Sequence, residues 1–65
     1  MLKYVQVDSD GYAWLDWHYQ IALQKHNYQV GRANDEWLLY HEGKLKFETA
    51  DHVLFDNYLK LLLED

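Results

Sequence analysis

The sequence feature that most constrains the fold is the run at residues 50–64, which contains neither Gly nor Pro. At about 100° per residue on a helix, its apolar side chains fall in one arc of roughly half the circumference. This arc consists of Ala50, Leu54, Phe55, Tyr58, Leu59, Leu61 and Leu62. Thr49 is predicted to be the N-cap, and His52 and Asp56 to form an exposed pair on the polar face. An apolar face this wide needs a covering surface from the rest of the chain.

Three short segments before this helix are predicted to form an antiparallel meander. They lie near residues 28–33, 36–41 and 44–48. The dipeptides Asn34-Asp35 and Glu42-Gly43, which separate them, are typical of tight turns. Alternation in the third strand predicts that Leu45 and Phe47 face the core. The sequence therefore predicts a small α+β domain, in which an antiparallel sheet packs against a C-terminal amphipathic helix.

The chain before the meander is less tightly determined. Residues 2–7 alternate and include two Val and one Tyr, which predicts a further strand of the sheet, followed by a turn at residues 8–11. Residues 12–26 fit two structures. A long strand would have one fully apolar face, whereas a helix is favoured because a strand of this length is unusual in so small a domain. We favour the helix, with Asn27 as a left-handed residue at its end.

Length and composition predict a single domain, residues 1–65. The chain has no Cys, which excludes disulfides and thiolate metal ligands. Three Trp, six Tyr and two Phe supply the large apolar area that a short chain needs for a stable core. No segment approaches the roughly 18 apolar residues of a membrane span, and no signal peptide is evident at the N-terminus. The expected location is the cytoplasm.

The residue types that catalysis or metal binding requires are sparse. The chain has one Ser, one Thr and four His, and no two His form the helical i, i+4 pair of a zinc protease. The turn Asp8-Ser9-Asp10-Gly11 matches a calcium-binding loop at two ligand positions but lacks its first ligand and its final Glu. We therefore expect no catalytic residues, no metal and no cofactor, and predict that the protein is not an enzyme.

The formal net charge of −5 disfavours direct binding to nucleic acid or to an anionic membrane, because both require clustered cations. The predicted order of helix, three strands and helix is loosely similar to nucleic-acid-binding modules of α-β-β-β-α order, but the charge argues against that use. Lys44, Lys46 and Lys60 form the one small group of cations near the meander. A protein partner, including a basic one, is compatible with the charge.

The remaining hypothesis is binding to a protein. Trp14, Trp17 and Ile21 form an outward apolar patch if residues 12–26 are helical, and Trp is a typical interface anchor. Acidic residues gather at the predicted connections: Asp8, Asp10, Asp35, Glu36 and Glu42. Together they suggest an aromatic anchor with an acidic rim. In size and charge alone, the chain is comparable to small viral inhibitors of DNA-processing or defence enzymes.

The alternative is a structural or regulatory subunit without catalytic activity. Such a protein would form a homodimer through the apolar face of the final helix or through a sheet edge.

Overall fold

The computed structural model describes residues 2–64, which form two antiparallel sheets and two helices. The elements in chain order are β1 (Val5–Val7), β2 (Ala13–Leu15), α1 (Trp17–Gln24), β3 (Tyr28–Ala33), β4 (Glu36–His41), β5 (Lys44–Thr49) and α2 (His52–Leu63). β1 and β2 form a hairpin, and β3, β4 and β5 form a meander in that order. The α+β class, the meander and the C-terminal helix are confirmed.

The tight turns lie where the sequence predicts them, because the residues at these positions tolerate a left-handed backbone. Asn27, which follows α1, has a φ of 68°. The two-residue connections of the meander have positive φ at both positions: Asn34 and Asp35 at 52° and 64°, and Glu42 and Gly43 at 54° and 81°. Paired positive φ values match the right-handed twist of the flanking strands and keep the hairpins tight.

Residues 12–26 contain both predicted structures, one after the other. Residues 13–15 are a strand, in which Ala13 pairs with Val7 and Leu15 with Val5. The chain then turns at Asp16, whose backbone oxygen accepts hydrogen bonds from the first turn of α1. The helical prediction is therefore right for residues 17–24 and wrong for residues 12–16, where hairpin pairing with β1 determines the structure.

The first strand is shorter than predicted and does not join the meander. β1 pairs with β2, and its regular pairing begins at Val5 rather than at residue 2. The backbone N–H groups of residues 3–5 instead donate to the carboxylate of Asp56 on α2, over distances of 2.6–3.1 Å. The predicted exposed pair of His52 and Asp56 is thus wrong: Asp56 is 1% exposed, and His52 Nδ1 accepts a hydrogen bond from Trp37 Nε1 at 2.9 Å.

α2 begins two residues later than predicted and has a different N-cap. The side chain of Asp51 accepts hydrogen bonds from the N–H groups of Val53 and Leu54, whereas the Thr49 hydroxyl accepts one from the N–H of Asp51. A carboxylate satisfies donors of the first turn and also suits the positive end of the helix dipole. The prediction of Thr49 as the cap was wrong for this reason.

The core lies between the inner face of the meander, α2 and the β1–β2 hairpin. Its centre is the stacked pair of Trp37 and Phe55, with ring centroids 4.7 Å apart. Phe47 stacks on Tyr58 beside this pair at 4.3 Å. The other buried apolar residues are Tyr4, Val5, Ala13, Leu15, Leu23, Leu39 and Leu59.

Two details of the predicted apolar faces are wrong. A register shift between Leu39 and Tyr40 pairs them with Phe47 and Leu45 respectively. Leu45 therefore lies on the opposite face of the sheet from Phe47 and is exposed, because one extra residue in a strand reverses the alternation. On α2, Leu54 and Leu61 are also exposed, since burial is centred on Phe55 and Leu59.

Candidate binding surface

Four large side chains near the hairpin and α1 are exposed. Tyr12 and Trp14 are 67% and 40% exposed, and their rings stack at 6.0 Å. Trp17 and Ile21 are 69% and 40% exposed and lie four residues apart on α1, so they share one face of that helix. The structure places Trp14 on β2 and not on α1. The predicted patch is therefore two pairs, and Tyr12 is a member that the sequence reasoning missed.

Alternation places Trp14 outward on β2. Ala13 and Leu15 point into the core and are buried, and successive side chains of a strand point to opposite faces. The three-residue segment Tyr12 to Trp14 follows the left-handed Gly11, whose φ is 85°.

A narrow cleft, which we call the β2–β3 cleft, separates the hairpin from the meander. One wall consists of residues 12–15 and the other of residues 30–32, while Gln20 and the buried Trp37 complete its lining. Its volume is about 230 Å³. Within the described residues, β2 pairs with β1 and β3 pairs with β4. The facing edges of β2 and β3 are therefore both available.

Two side chains in the β2–β3 cleft donate to the backbone of β2, Arg32 from β3 and Gln20 from α1. Arg32 Nη1 donates to the carbonyl oxygen of Ala13 at 3.2 Å, and Gln20 Nε2 donates to that of Leu15 at 2.8 Å. The guanidinium of Arg32 also lies 4.1 Å from the ring of Trp37. Arg32 and Gln20 thus satisfy two carbonyl oxygens that a neighbouring strand would otherwise bind. The sequence reasoning gave neither residue a role.

The five predicted acidic residues do not form one patch. Asp8 and Asp10 flank the turn of the β1–β2 hairpin, and Gly11 of that turn lines the same concavity as Asp35, next to Arg32. Glu42 lies at the other end of β4 from Asp35, where it lines an open concavity with residues 27–29. Glu36 pairs with Ala33 at the start of β4 and is half-buried. Asp8, Asp10 and Asp35 therefore form one acidic end, and Glu42 is separate.

Asp8 is held by its own turn. Its Oδ1 accepts hydrogen bonds from the N–H groups of Asp10 and Tyr12, both at 2.9 Å. This arrangement is that of a carboxylate which closes a turn on its own backbone. The carboxylates of Asp10 and Asp35 are exposed at the same end of the molecule. Asp35 lines a concavity with Tyr12 and Arg32, which also line the β2–β3 cleft.

The groups with displaced pKa values lie away from this surface, where the N-terminal segment meets α2. Burial by itself raises the pKa of Asp56, but three backbone N–H groups and the nearby Lys60 ammonium lower it, and its pKa lies below the usual value. The hydrogen bond from Lys3 lowers the pKa of Glu64. Burial raises the pKa of Tyr4, and its hydroxyl donates to the same Glu64 carboxylate. These shifts are explained by the contact that closes the fold.

Within residues 2–64, no group of three or more His, Cys, Asp or Glu side chains is arranged to hold a metal ion. No helix in this range is long and apolar enough to cross a membrane.

Comparisons with protein-family models, with curated proteins and with solved structures find no match for this chain.

Proposed function

We propose that this protein is a small acidic binding module that docks on a protein partner through its exposed aromatic side chains. The observation that supports this proposal is the exposure of Trp17 and of the stacked pair Tyr12 and Trp14. The chain has three Trp, of which Trp37 is buried in the core. Large aromatic side chains left at the surface are typical anchors of protein interfaces.

The charge distribution supports an orientation for docking. Asp10 and Asp35 lie beside the aromatic pair at one end of the molecule, so a partner with basic groups there would be attracted and oriented. Glu36 is next to Asp35 but half-buried, and Glu42 lies at the other end of β4, so both are secondary to the proposal. The net charge of −5 raises the rate of encounter with a basic surface.

The proposal extends to inhibition of a nucleic-acid-processing or defence protein. In such a complex, carboxylates at the acidic end would occupy sites that bind phosphate in the partner. This extension requires an association that weakens as salt screens the charges. A complex with a DNA-binding partner whose affinity is unchanged between about 0.05 M and 0.5 M salt would exclude it.

The test of the proposal is capture of the partner from the native host, followed by Trp14→Ala and Trp17→Ala. Truncation of an anchor costs at least about 1–2 kcal/mol, so each variant should bind about tenfold more weakly or worse. Leu61→Ala is the matched control, because Leu61 is as exposed as Trp17 but lies on α2. Far-ultraviolet circular dichroism checks that all three variants fold. Unchanged affinity in both Trp variants would remove the aromatic-anchor proposal.

A homodimeric structural subunit is the second candidate, and one observation favours it. Val53, Leu54 and Leu61 form an exposed apolar strip on the outer side of α2. A second copy could cover this strip by a two-fold contact between helices. Sedimentation at micromolar concentration decides between the two candidates, because a monomer excludes the second.

A further inference from the structure

We propose that the β2–β3 cleft receives an extended segment of the protein partner as an added strand, with a basic residue of that segment next to Asp10 and Asp35. This inference rests on the proposed function and names the part of the partner that is bound. Addition of a strand to free sheet edges is a common mode of peptide recognition, in which backbone hydrogen bonds supply affinity and side-chain contacts supply specificity.

The two walls of the cleft are residues 12–15, which include β2, and residues 30–32 of β3. The walls are bridged by the side chain of Arg32 rather than by backbone hydrogen bonds, so their separation exceeds the 4.7–4.9 Å of directly paired strands. A segment placed between them would meet acceptors and donors of the backbone on both sides. It would also join the two sheets into one.

A bound segment can displace the side chains of Arg32 and Gln20 from the cleft. Arg32 and Gln20 each use one side-chain N–H to satisfy a carbonyl of β2, and a peptide N–H can make the same hydrogen bond. Arg32 has an exposed side chain and retains its contact with the Trp37 ring as an alternative attachment. When these two side chains are displaced, each lost hydrogen bond to a carbonyl of β2 is replaced by one from a peptide N–H. The net cost in free energy is therefore small.

Gly31 is a second, independent feature of the cleft wall. A Cβ at this position would meet Tyr40 and Leu38 at 3.9 and 4.0 Å, which are ordinary contacts, and its φ is not in the left-handed region. The fold therefore does not require glycine in the middle of β3. Glycine inside a strand often marks a place where another backbone approaches closely.

Charge and side chains determine the chemistry of the occupant. Tyr12 and Trp14 offer exposed rings beside β2, which favours a segment with apolar side chains at alternate positions. Asp35 lines a concavity with Arg32 and Tyr12, and Asp10 is exposed two residues before Tyr12. A Lys or Arg at the corresponding end of the segment would complement them. A negatively charged segment would be repelled by the same end.

The probe is a library of random linear dodecapeptides displayed on phage and selected on the intact protein. We expect the enriched peptides to alternate apolar and polar residues and to carry Lys or Arg near one end. A synthetic copy of the most enriched peptide is then methylated on one backbone nitrogen at a time. An added strand directs alternate N–H groups to each side. Because a strand edge lies on each side of the segment, methylation at every position inside the cleft should weaken binding by about tenfold, whereas methylation outside the cleft should not.

Two variants sharpen the test. Trp14→Ala should weaken binding of the synthetic peptide about tenfold, whereas the control Leu61→Ala should leave it unchanged. Arg32→Met removes the guanidinium that competes for the carbonyl of Ala13 but keeps an apolar stem over Trp37. This variant should bind the peptide about two- to tenfold more tightly, the equivalent of one hydrogen bond that no longer has to be broken. Amide hydrogen exchange should show new protection in β2 and β3.

Three results would overturn the inference: no enriched peptide, methylation that is tolerated at alternate positions of the bound segment, or weaker binding by Arg32→Met. The outcome is separable from that of the proposed function. A native partner that requires Trp14 and Trp17 but shows no strand signature would retain the proposed function and remove the added strand. A native partner insensitive to both Trp variants would remove the proposed function itself.

Discussion

At the scale of single residues, Asp56 is the side chain on which the fold depends most. Its buried carboxylate accepts hydrogen bonds from three consecutive backbone N–H groups of the N-terminal segment and lies 3.6 Å from the ammonium of Lys60. Asp56→Ala would leave these donors unsatisfied in the interior, at a cost of about 3–5 kcal/mol. A domain of this length has a total stability of about 3–10 kcal/mol, so we expect the variant to lose a third or more of its free energy of unfolding.

Urea denaturation followed by circular dichroism measures this effect. Asp56→Asn keeps one acceptor oxygen and should lose less, about 1–3 kcal/mol. Asp10→Ala makes the same chemical change at an exposed position and should change the free energy of unfolding by less than about 0.5 kcal/mol. Equal losses at positions 56 and 10 would contradict the role given to the buried carboxylate.

Glu42 is a contrasting case, because its residue type does not suit its backbone conformation. Its φ of 54° places a residue with a long side chain in the left-handed region, which Asn and Gly adopt at lower cost. Glu42→Asn would create the Asn-Gly turn that two-residue hairpins favour, and we expect stabilisation by about 0.5–1 kcal/mol. The melting temperature measures this gain. Glu42→Gln, which removes the same charge without suiting the turn, should give none.

These two residues also show what a sequence can reveal. The turns were predictable because the preference of Asn27, Asn34 or Gly43 for positive φ is a property of the residue itself. The role of Asp56 was not predictable. Its partners are backbone N–H groups about fifty positions away, and every residue except Pro has such a group, so the sequence does not mark them. On a helical wheel, a carboxylate that faces inward to bind backbone N–H groups is indistinguishable from one that faces water.

At the scale of elements, α2 is rotated relative to the face that its apolar residues define. Asp56 and His52 are drawn inward by their hydrogen bonds, and Leu54 and Leu61 turn outward as a consequence. The sequence predicted the helix, because its periodicity extends over twelve residues. It did not predict which part of the wide apolar arc is buried, since that depends on hydrogen bonds to other elements. The misplaced Leu45 on β5 has a similar cause, because a bulge leaves no mark on the pattern of alternation.

The rotation of α2 leads to a matched pair of variants on one helix. Leu59 is fully buried and Leu61 is 69% exposed. Leu59→Ala should cost about 2–5 kcal/mol, because it leaves a cavity between the helix and the meander. Leu61→Ala should cost less than about 0.5 kcal/mol, and chemical denaturation distinguishes the two.

The exposed strip of α2 is also small for an interface. A stable interface buries about 800 Å² on each partner from roughly 20–30 residues, and the strip has three large side chains. We therefore expect a monomer at micromolar concentration by sedimentation velocity. A wild-type dimer that Leu61→Lys dissociates would instead support the homodimeric candidate.

At the scale of the whole molecule, the N-terminal segment at residues 3–5 is attached to the C-terminal helix region by side-chain hydrogen bonds. The N-terminal segment is attached to α2 by Asp56 and by Glu64, whose carboxylate accepts hydrogen bonds from Lys3 and from the hydroxyl of Tyr4. This attachment holds the β1–β2 hairpin, and therefore Trp14, in a fixed position against the meander. Trp14 and Trp17 were predictable as outward residues, whereas Tyr12 was not. The cleft between two sheets was not, because it depends on how β2 and β3 approach in space.

The attachment of the N-terminal segment to α2 makes the free energy of unfolding depend on pH. The directions of the pKa shifts give the sign of this dependence. The pKa values of Asp56 and Glu64 lie below their ordinary values of 3.8 and 4.5, so these carboxylates stabilise the fold above those values. Their contribution is lost as the pH falls through the lowered pKa values. The pKa values of Tyr4 and Lys3 lie above 10.0 and 10.5, so their contribution is lost as the pH rises through the raised values.

We expect the contribution of this attachment to the free energy of unfolding to be constant between about pH 5 and pH 9 and to fall on both sides. Urea denaturation at about pH 3, 4, 5 and 7 measures the acid side. Asp56→Asn and Glu64→Gln should each reduce the loss of stability between about pH 5 and pH 3, because the titrating group is absent. Asp10→Asn is the control and should retain the full loss. An acid loss that is identical in all four proteins would show that other carboxyl groups control acid unfolding and that the attachment of the N-terminal segment does not.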